Sequence, residues 1–266
     1  MKKVIDILYT CVIVAAVLIF VYALARIFFV DSFVVRGQSM EPTLNDGQRI
    51  FVNKLAMGAR IYTRFDFESP ELKCFRMPGL KPLQPGDIAV FNYPFGWEKG
   101  KIGFKINYVY AKRCIGCPGD YVGIQNGHYK NGRNPSKLLG DEKMQDMLYQ
   151  TPDSTLLNQG VTLKAYRHKY TGWTIKEFGP LRVPCKGLAM IIDSTALKIY
   201  SNIIEYETGN KATIGPYIFK EDYYFFCGDN VFDSRDCRYF GFVPERFVIG
   251  KVIKNAKGRI SYTDSY

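Results

Sequence analysis

Histidine is almost missing from this chain. Its 266 residues include two, His128 and His168. Each stands alone outside any motif and reads as a surface or loop residue. That excludes a histidine-based triad and leaves no ligand cluster, so no metal site is expected. The seven cysteines, Cys11, Cys74, Cys114, Cys117, Cys185, Cys227 and Cys237, are odd in number and lack the spacing of a disulfide framework. Free thiols are expected. Cys114 and Cys117 are formally C-x-x-C, but Gly116 and Pro118-Gly119 after an apolar strand describe a turn, not a redox motif. The net charge is +11, yet no run of five basic residues occurs. Nucleic acid is therefore not an expected partner, whereas a basic domain suits an anionic lipid surface. Internal repeats and low-complexity tracts are absent too.

What is present leans towards β structure. Hydrophobic residues make up 47%, with 19 Tyr, 19 Phe and 24 Gly, while long polar helical stretches are few. The length suits one large domain or one core with an insertion.

Residues Ile7 to Ala25 form an uncharged run of 19, close to the roughly 20 residues that span a bilayer as a helix. Ala23-Leu24-Ala25 also matches an A-x-A cleavage pattern, but signal h-regions usually run about 7–15 residues. A retained anchor is the favoured reading over a cleaved signal peptide. Lys2 and Lys3 precede it, which keeps the short N-terminus cytoplasmic and the large domain extracytoplasmic. Arg26 is expected to reach the outer interface.

Beyond the anchor, Ser32–Val35, Gln48–Lys54, Asp87–Tyr93 and Ile106–Ile115 read as strands, and 59–77 as an extended hairpin. Two Asn-Gly pairs in 124–133 signal a further hairpin. Residues 137–157 suggest a short helix, and the stretch on to about 222 reads as loops and short strands. Apolar density returns at Tyr223–Cys227 and Phe247–Ile253. The pattern is a β core with an insertion.

Four segments carry chemistry. Gly37-Gln38-Ser39-Met40-Glu41-Pro42-Thr43-Leu44 presents a hydroxyl on a turn. It departs from the G-x-S-x-G elbow, since Glu41 replaces the second glycine. Gly86 to Phe91 is a turn and core strand. Tyr110-Ala111-Lys112-Arg113 runs on to Asp120 and sets a lysine inside an apolar strand, where lysines are rarely buried. Gly228-Asp229-Asn230 continues through Asp236 and Arg238 to Pro244 as a dense polar loop between apolar strands. Taken singly, each is also compatible with an ordinary turn, strand, snorkelling lysine or solvated loop.

In this order behind an apolar helix, S-M-x-P-T-L, G-D-I-x-V-F, Y-x-K-R-x-I-G-x-P-G-D and G-D-N-x-x-x-S-x-D-x-R-Y-x-G-x-V-P resemble the bacterial type I signal peptidases (leader peptidases), Ser–Lys serine proteases. The likeness covers the anchor and roughly residues 33–120 and 223–255. It implies a mostly β fold: one transmembrane helix, then an antiparallel β catalytic core with an inserted second β region. The corresponding divisions are 1–30, then 31–122 with 223–266, and 123–222. It also implies roles. Ser39 is the nucleophile and Lys112 the general base. Gly37 and Ser234 support oxyanion and dyad. Met40, Leu44, Tyr110 and Ala111 shape the substrate pocket. Asp229, Asn230, Asp236 and Arg238 brace the site. Departures are Gly37 where part of the family has Ser, Val231-Phe232 for Arg-Asp, Cys237 for Ser, and Cys114 and Cys117 for aliphatic residues.

The implied substrates are secretory preproteins cut at A-x-A-type sites, with membrane lipid as the other partner and no cofactor. A serine needs a base to attack. Lysine serves only when neutral, and burial lowers its pKa by about 3–5 units when complete. Rival readings are a pilus- or conjugation-type processing peptidase, and an inactive paralogue that binds signal peptides. A self-cleaving repressor would lack the anchor.

Overall fold

The computed structural model describes residues 2–64, 69–98 and 100–255; part of the 59–77 hairpin and the end of the 223–266 division lie outside them. In chain order the elements are α1 (Lys2–Phe28), β1 (Val30–Val34), β2 (Arg49–Asn53), β3 (Arg60–Tyr62), β4 (Cys74–Arg76), β5 (Ile88–Asn92), β6 (Val109–Gly116), β7 (Tyr121–Gln125), β8 (His128–Asn131), α2 (Glu142–Gln150), α3 (Asp153–Asn158), α4 (His168–Thr171), β9 (Phe178–Arg182), β10 (Ala189–Ile192), α5 (Ser194–Thr208), β11 (Gly215–Ile218), β12 (Tyr223–Cys227), α6 (Cys237–Phe240), β13 (Val243–Pro244) and β14 (Val248–Asn255).

Seven strands form one antiparallel sheet in the order β1-β2-β14-β5-β6-β12-β13. Register shifts between β14 and β2, β14 and β5, and β12 and β6 curl it, because each extra residue bends its strand and raises the twist. All five residues of β5 and of β12 are buried, as befits central strands apolar on both faces. The fold is mostly β, as expected.

Helix α1 carries a span, Lys3–Phe28, with mean hydropathy 2.8 and no buried residue. At about 1.5 Å per residue it is long enough to cross a bilayer core of about 30 Å. Arg26 pairs with Asp31. Lys54 Nζ lies 3.0 Å from the other Asp31 oxygen and donates to the Arg26 carbonyl at 2.8 Å. These contacts tie the end of the helix to β1 and β2.

Beyond β6, a three-stranded sheet forms in the order β8-β7-β9, and β10 pairs with β11 across the intervening helix α5. The β7–β8 turn is Asn126-Gly127, with φ of 51° and 78°, the left-handed pair an Asn-Gly hairpin turn requires. The helix suggested within 137–157 is present as α2 and the start of α3. The loops and short strands expected towards 222 need correction, because α5 is a 15-residue helix. Asp193 caps it through the N–H groups of Thr195 and Ala196, and Gly209 ends it in the left-handed region. Ile199, Tyr200, Ile203 and Ile204 face inwards. That is helical spacing written in β-branched and aromatic residues, which obscures it locally. His128 and His168 sit in β8 and α4, partly buried and not in loops. All seven cysteines are free thiols; four of them, Cys114, Cys117, Cys227 and Cys237, are buried.

One large apolar cluster runs through sheet and insertion, from Phe91 and Phe226 to Tyr129, Ile203 and Phe219. A smaller one gathers Val35, Met40, Leu44, Ile50, Val90 and Ile249. The candidate site sits over this second cluster.

Candidate active site

The segment between β1 and β2 folds back on itself. Val35 N–H donates to the Gln48 carbonyl and Gly47 N–H to the Val35 carbonyl, both at 2.9 Å. Asp46 accepts the Gly37 N–H at 2.8 Å. Gly37 has φ +83°, a left-handed geometry that side chains resist. Beyond it, Glu41 N–H bonds to the Gln38 carbonyl and Leu44 N–H to that of Met40. Ser39 is thereby held at the apex of the turn, partly exposed. The peptide N–H of Ser39 has no acceptor among the described residues, whereas that of Gly37 is taken.

Strand β6 pairs with β5 from Val109 to Arg113, which sets Lys112 opposite Ala89. Lys112 is 4% exposed, and its Nζ donates a hydrogen bond to Ser39 Oγ across 73 positions of sequence. The ammonium nitrogen also lies 5.2 Å from the centre of the Tyr110 ring. Burial lowers the Lys112 pKa to about 8, because a charged amine loses its hydration there. Nearby Asp236 opposes this shift and Arg238 reinforces it.

Both carboxylates beneath the lysine are matched by arginines. Arg238 and Asp236 are fully buried and joined by two parallel bonds of 2.9 Å. Asp236 also takes the N–H groups of Gly228 and Arg238, and Arg238 donates to the Val231 carbonyl at 3.1 Å. Asp229, 0% exposed, receives Arg113 through Nε at 2.7 Å and Nη2 at 2.5 Å. It also receives the Thr43 hydroxyl at 2.5 Å, and Arg113 reaches the Gly86 carbonyl at 2.7 Å. This network joins the Ser39 turn, the β5 approach, β6 and the 228–238 loop. Asn230 closes it from above, its N–H on the Ser39 carbonyl and its Nδ2 on that of Gln38, each 3.2 Å.

Ser234 behaves differently from the role the resemblance implied. It is buried, but its hydroxyl makes no hydrogen bond among the described residues, to Lys112 or otherwise. It packs instead on Gly228, where a Cβ would overlap both Ser234 Oγ and the Ser39 carbonyl. The absence of a side chain at 228 is what lets these strands of backbone close up. Met40, Tyr110 and Ala111 line a cavity of about 600 Å³ with Gly37, Ser39 and Lys112. Leu44 does not line it; it is fully buried in the smaller cluster, and that correction follows from its turn pointing inwards. Three contributors had no place in the sequence reading. Arg113 and Thr43 lay inside quoted motifs, as a charge and a hydroxyl beside buried positions. Tyr129, which holds the Gly228 carbonyl at 2.9 Å from the insertion, had no local signal.

The cavity also has two unpaired backbone edges. On the side away from β5, β12 meets β6 only from Arg113 onwards, leaving Val109–Lys112 open. Among the described residues, strand β1 pairs with β2 alone. Both edges border the cavity. Among the described residues no group of His, Cys, Asp and Glu could hold a metal ion.

A family model described as signal peptidase, peptidase S26, matches residues 5–255. The signal peptidase I of Buchnera aphidicola subsp. Acyrthosiphon pisum (strain APS) is 29% identical over 237 residues, 86% of this chain and 68% of that protein. Signal peptidase I P of Bacillus subtilis subsp. natto is 32% identical over 174 residues, 65% of each chain. Among solved structures, a signal peptidase I from Enterococcus faecalis V583 is 21% identical, with a TM-score of 0.33, covering 66% of this chain and all of that one.

Proposed function

Since the chain belongs to the signal peptidase family S26, whose members are serine endopeptidases that remove signal peptides, we propose that Ser39 is its nucleophile and Lys112 its general base. The observation that carries this is the hydrogen bond from a buried Lys112 Nζ to Ser39 Oγ in the cavity wall. At an ordinary lysine pKa of about 10.4, roughly one amine in 2,500 is neutral at pH 7. With the value lowered to about 8, about one in eleven is neutral. Neutral Lys112 takes the Ser39 proton as Oγ attacks the peptide carbonyl carbon. The Ser39 N–H, which has no acceptor among the described residues, receives the developing oxyanion in this reading. Lys112 then hands its proton to the leaving amine; in the second half it draws a proton from the water that attacks the acyl carbon and returns it to Ser39 Oγ as the ester bond breaks. Asp229 and Asp236 brace the dyad, and Arg238 offsets part of their pull on the ammonium.

The two open strand edges suit an extended peptide laid between β1 and β6, bonded through its backbone. In such a strand alternate side chains point to the floor, which Met40, Val90 and Ala111 make apolar and shallow. Small residues at two alternate positions, the A-x-A pattern of secretory preproteins, fit it. With α1 as membrane anchor and its N-terminus cytoplasmic, the catalytic domain works at the outer face of the inner (plasma) membrane. It consists of 31–122 with 223–266, carrying 123–222 as an insertion. The test is cleavage of an A-x-A preprotein by full-length protein in detergent. Ser39→Ala and Lys112→Ala should each lose cleavage while remaining folded; substantial turnover by either variant would reject the dyad.

A further inference from the structure

The cavity wall holds two guanidinium groups that the hydrolysis does not use. Arg36 lies on the arm leading to Ser39, and Arg235 on the loop that covers the site from the other side. Both are exposed. Neither has a carboxylate within ion-pairing reach among the described residues, unlike Arg113 and Arg238, which are matched. Arg235 rests 5.6 Å over the Tyr93 ring. Tyr93 in turn packs 4.9 Å from Tyr110, so the guanidinium is held beside the β6 wall. Among the described residues, Asp233 is the acid on the same wall, and it pairs with neither.

Resting on the peptidase reading above, we propose that Arg36 and Arg235 select substrates with an acidic side chain close to the scissile bond. Arg36 is three residues from Ser39, at most about 11 Å of extended chain. Arg235 stands next to the Tyr110 and Lys112 face. Small side chains of the peptide point to the apolar floor. The side chains between them, and those just past the bond, point to the rim where these cations lie. The favoured positions are therefore the second residue before the bond and the first two after it. A carboxylate there meets solvent-exposed guanidinium groups, so the gain is modest, about fivefold in kcat/KM.

The experiment uses full-length protein in a neutral detergent and matched A-x-A peptides bearing Asp, Asn or Lys at each of the three positions. At one or more, Asp should exceed Asn by about fivefold, with Lys poorest, and about 0.5 M salt should compress the ratio. Arg36→Gln and Arg235→Gln should each reduce the Asp/Asn ratio and together bring it towards one; Arg235→Lys should keep part of it. Asp and Asn within twofold at all three positions would overturn the proposal, as would a ratio surviving in the double variant. If the arginine variants lose activity only on anionic vesicles, with the peptide ratio unchanged, the guanidinium groups face lipid and the inference is wrong. Failure to cut even the Asn peptides would sink the peptidase reading itself, a separable result.

Discussion

Replacing Arg113 with Gln strips Asp229 of its counter-charge while leaving Ser39 and Lys112 in place. Asp229 is fully buried and close enough to raise the Lys112 pKa. Unmatched, it attracts the ammonium more strongly. An opposite charge nearby typically moves a pKa by about 1–3 units; taking the low end, Lys112 goes from about 8 to about 9. Its neutral fraction at pH 7 then falls from about 9% to about 1%, close to tenfold. At pH 9.5 it falls only from about 97% to about 76%. The assay is kcat/KM on one A-x-A peptide from pH 6 to 10, with circular dichroism at each pH to confirm folding. The expected signature is an alkaline shift of the inflection by about one unit, with activity nearly recovered at pH 9.5. Arg113→Gln with Asp229→Asn removes the stray charge and should return the inflection towards 8. A uniform loss at every pH, or a double variant shifted as far as the single one, would refute the electrostatic account and leave Arg113 a merely structural brace.

Wild-type kcat/KM should rise with pH and level off above about 8, following Lys112 deprotonation, and Lys112→Arg should be inactive because arginine stays charged; a rate flat from pH 6 to 9 contradicts a lysine base. Because the native pKa lies below the unfolded one, the unfolded chain binds more protons between pH 8 and 10.5. This group therefore costs stability below pH 8, and the cost fades as pH rises towards 10.5. Lys112→Met should raise the neutral-pH stability by roughly 1–3 kcal/mol in denaturant unfolding, and an unchanged midpoint would contradict the burial penalty. At Gly37 a Cβ meets nothing within 4 Å, so Gly37→Ala should suffer only from its backbone angle, at about 1 kcal/mol. Gly37→Ser should be the faster of the two if position 37 faces the oxyanion, and equal kcat/KM values would remove that role. Gly228→Ala should cost both stability and activity, since the new Cβ drives into the Ser39 carbonyl and Ser234; near-normal melting and turnover would show that the backbone there can yield.

Much of the scaffold is legible in neighbouring residues alone. An uncharged run of bilayer length, alternation in 48–54, and Asn126-Gly127 each encode a local geometry, because helix, strand and turn depend on side chains a few positions apart. The four motif strings further supplied residue types in a familiar order, and the roles of Ser39 and Lys112 came from that resemblance, not from spacing. Helix α5 escaped notice because its inward stripe is built of Ile and Tyr, which also suit strands. What only the tertiary structure decided lies in contacts across long separations: Lys112 with Ser39, 73 residues apart, and Arg113 with Asp229, 116 apart. The same holds for Tyr129 under Gly228 and for the inward turn of Leu44. Which residues meet depends on strand register through the whole curled sheet, and the Lys112 pKa is lowered because that sheet buries the amine.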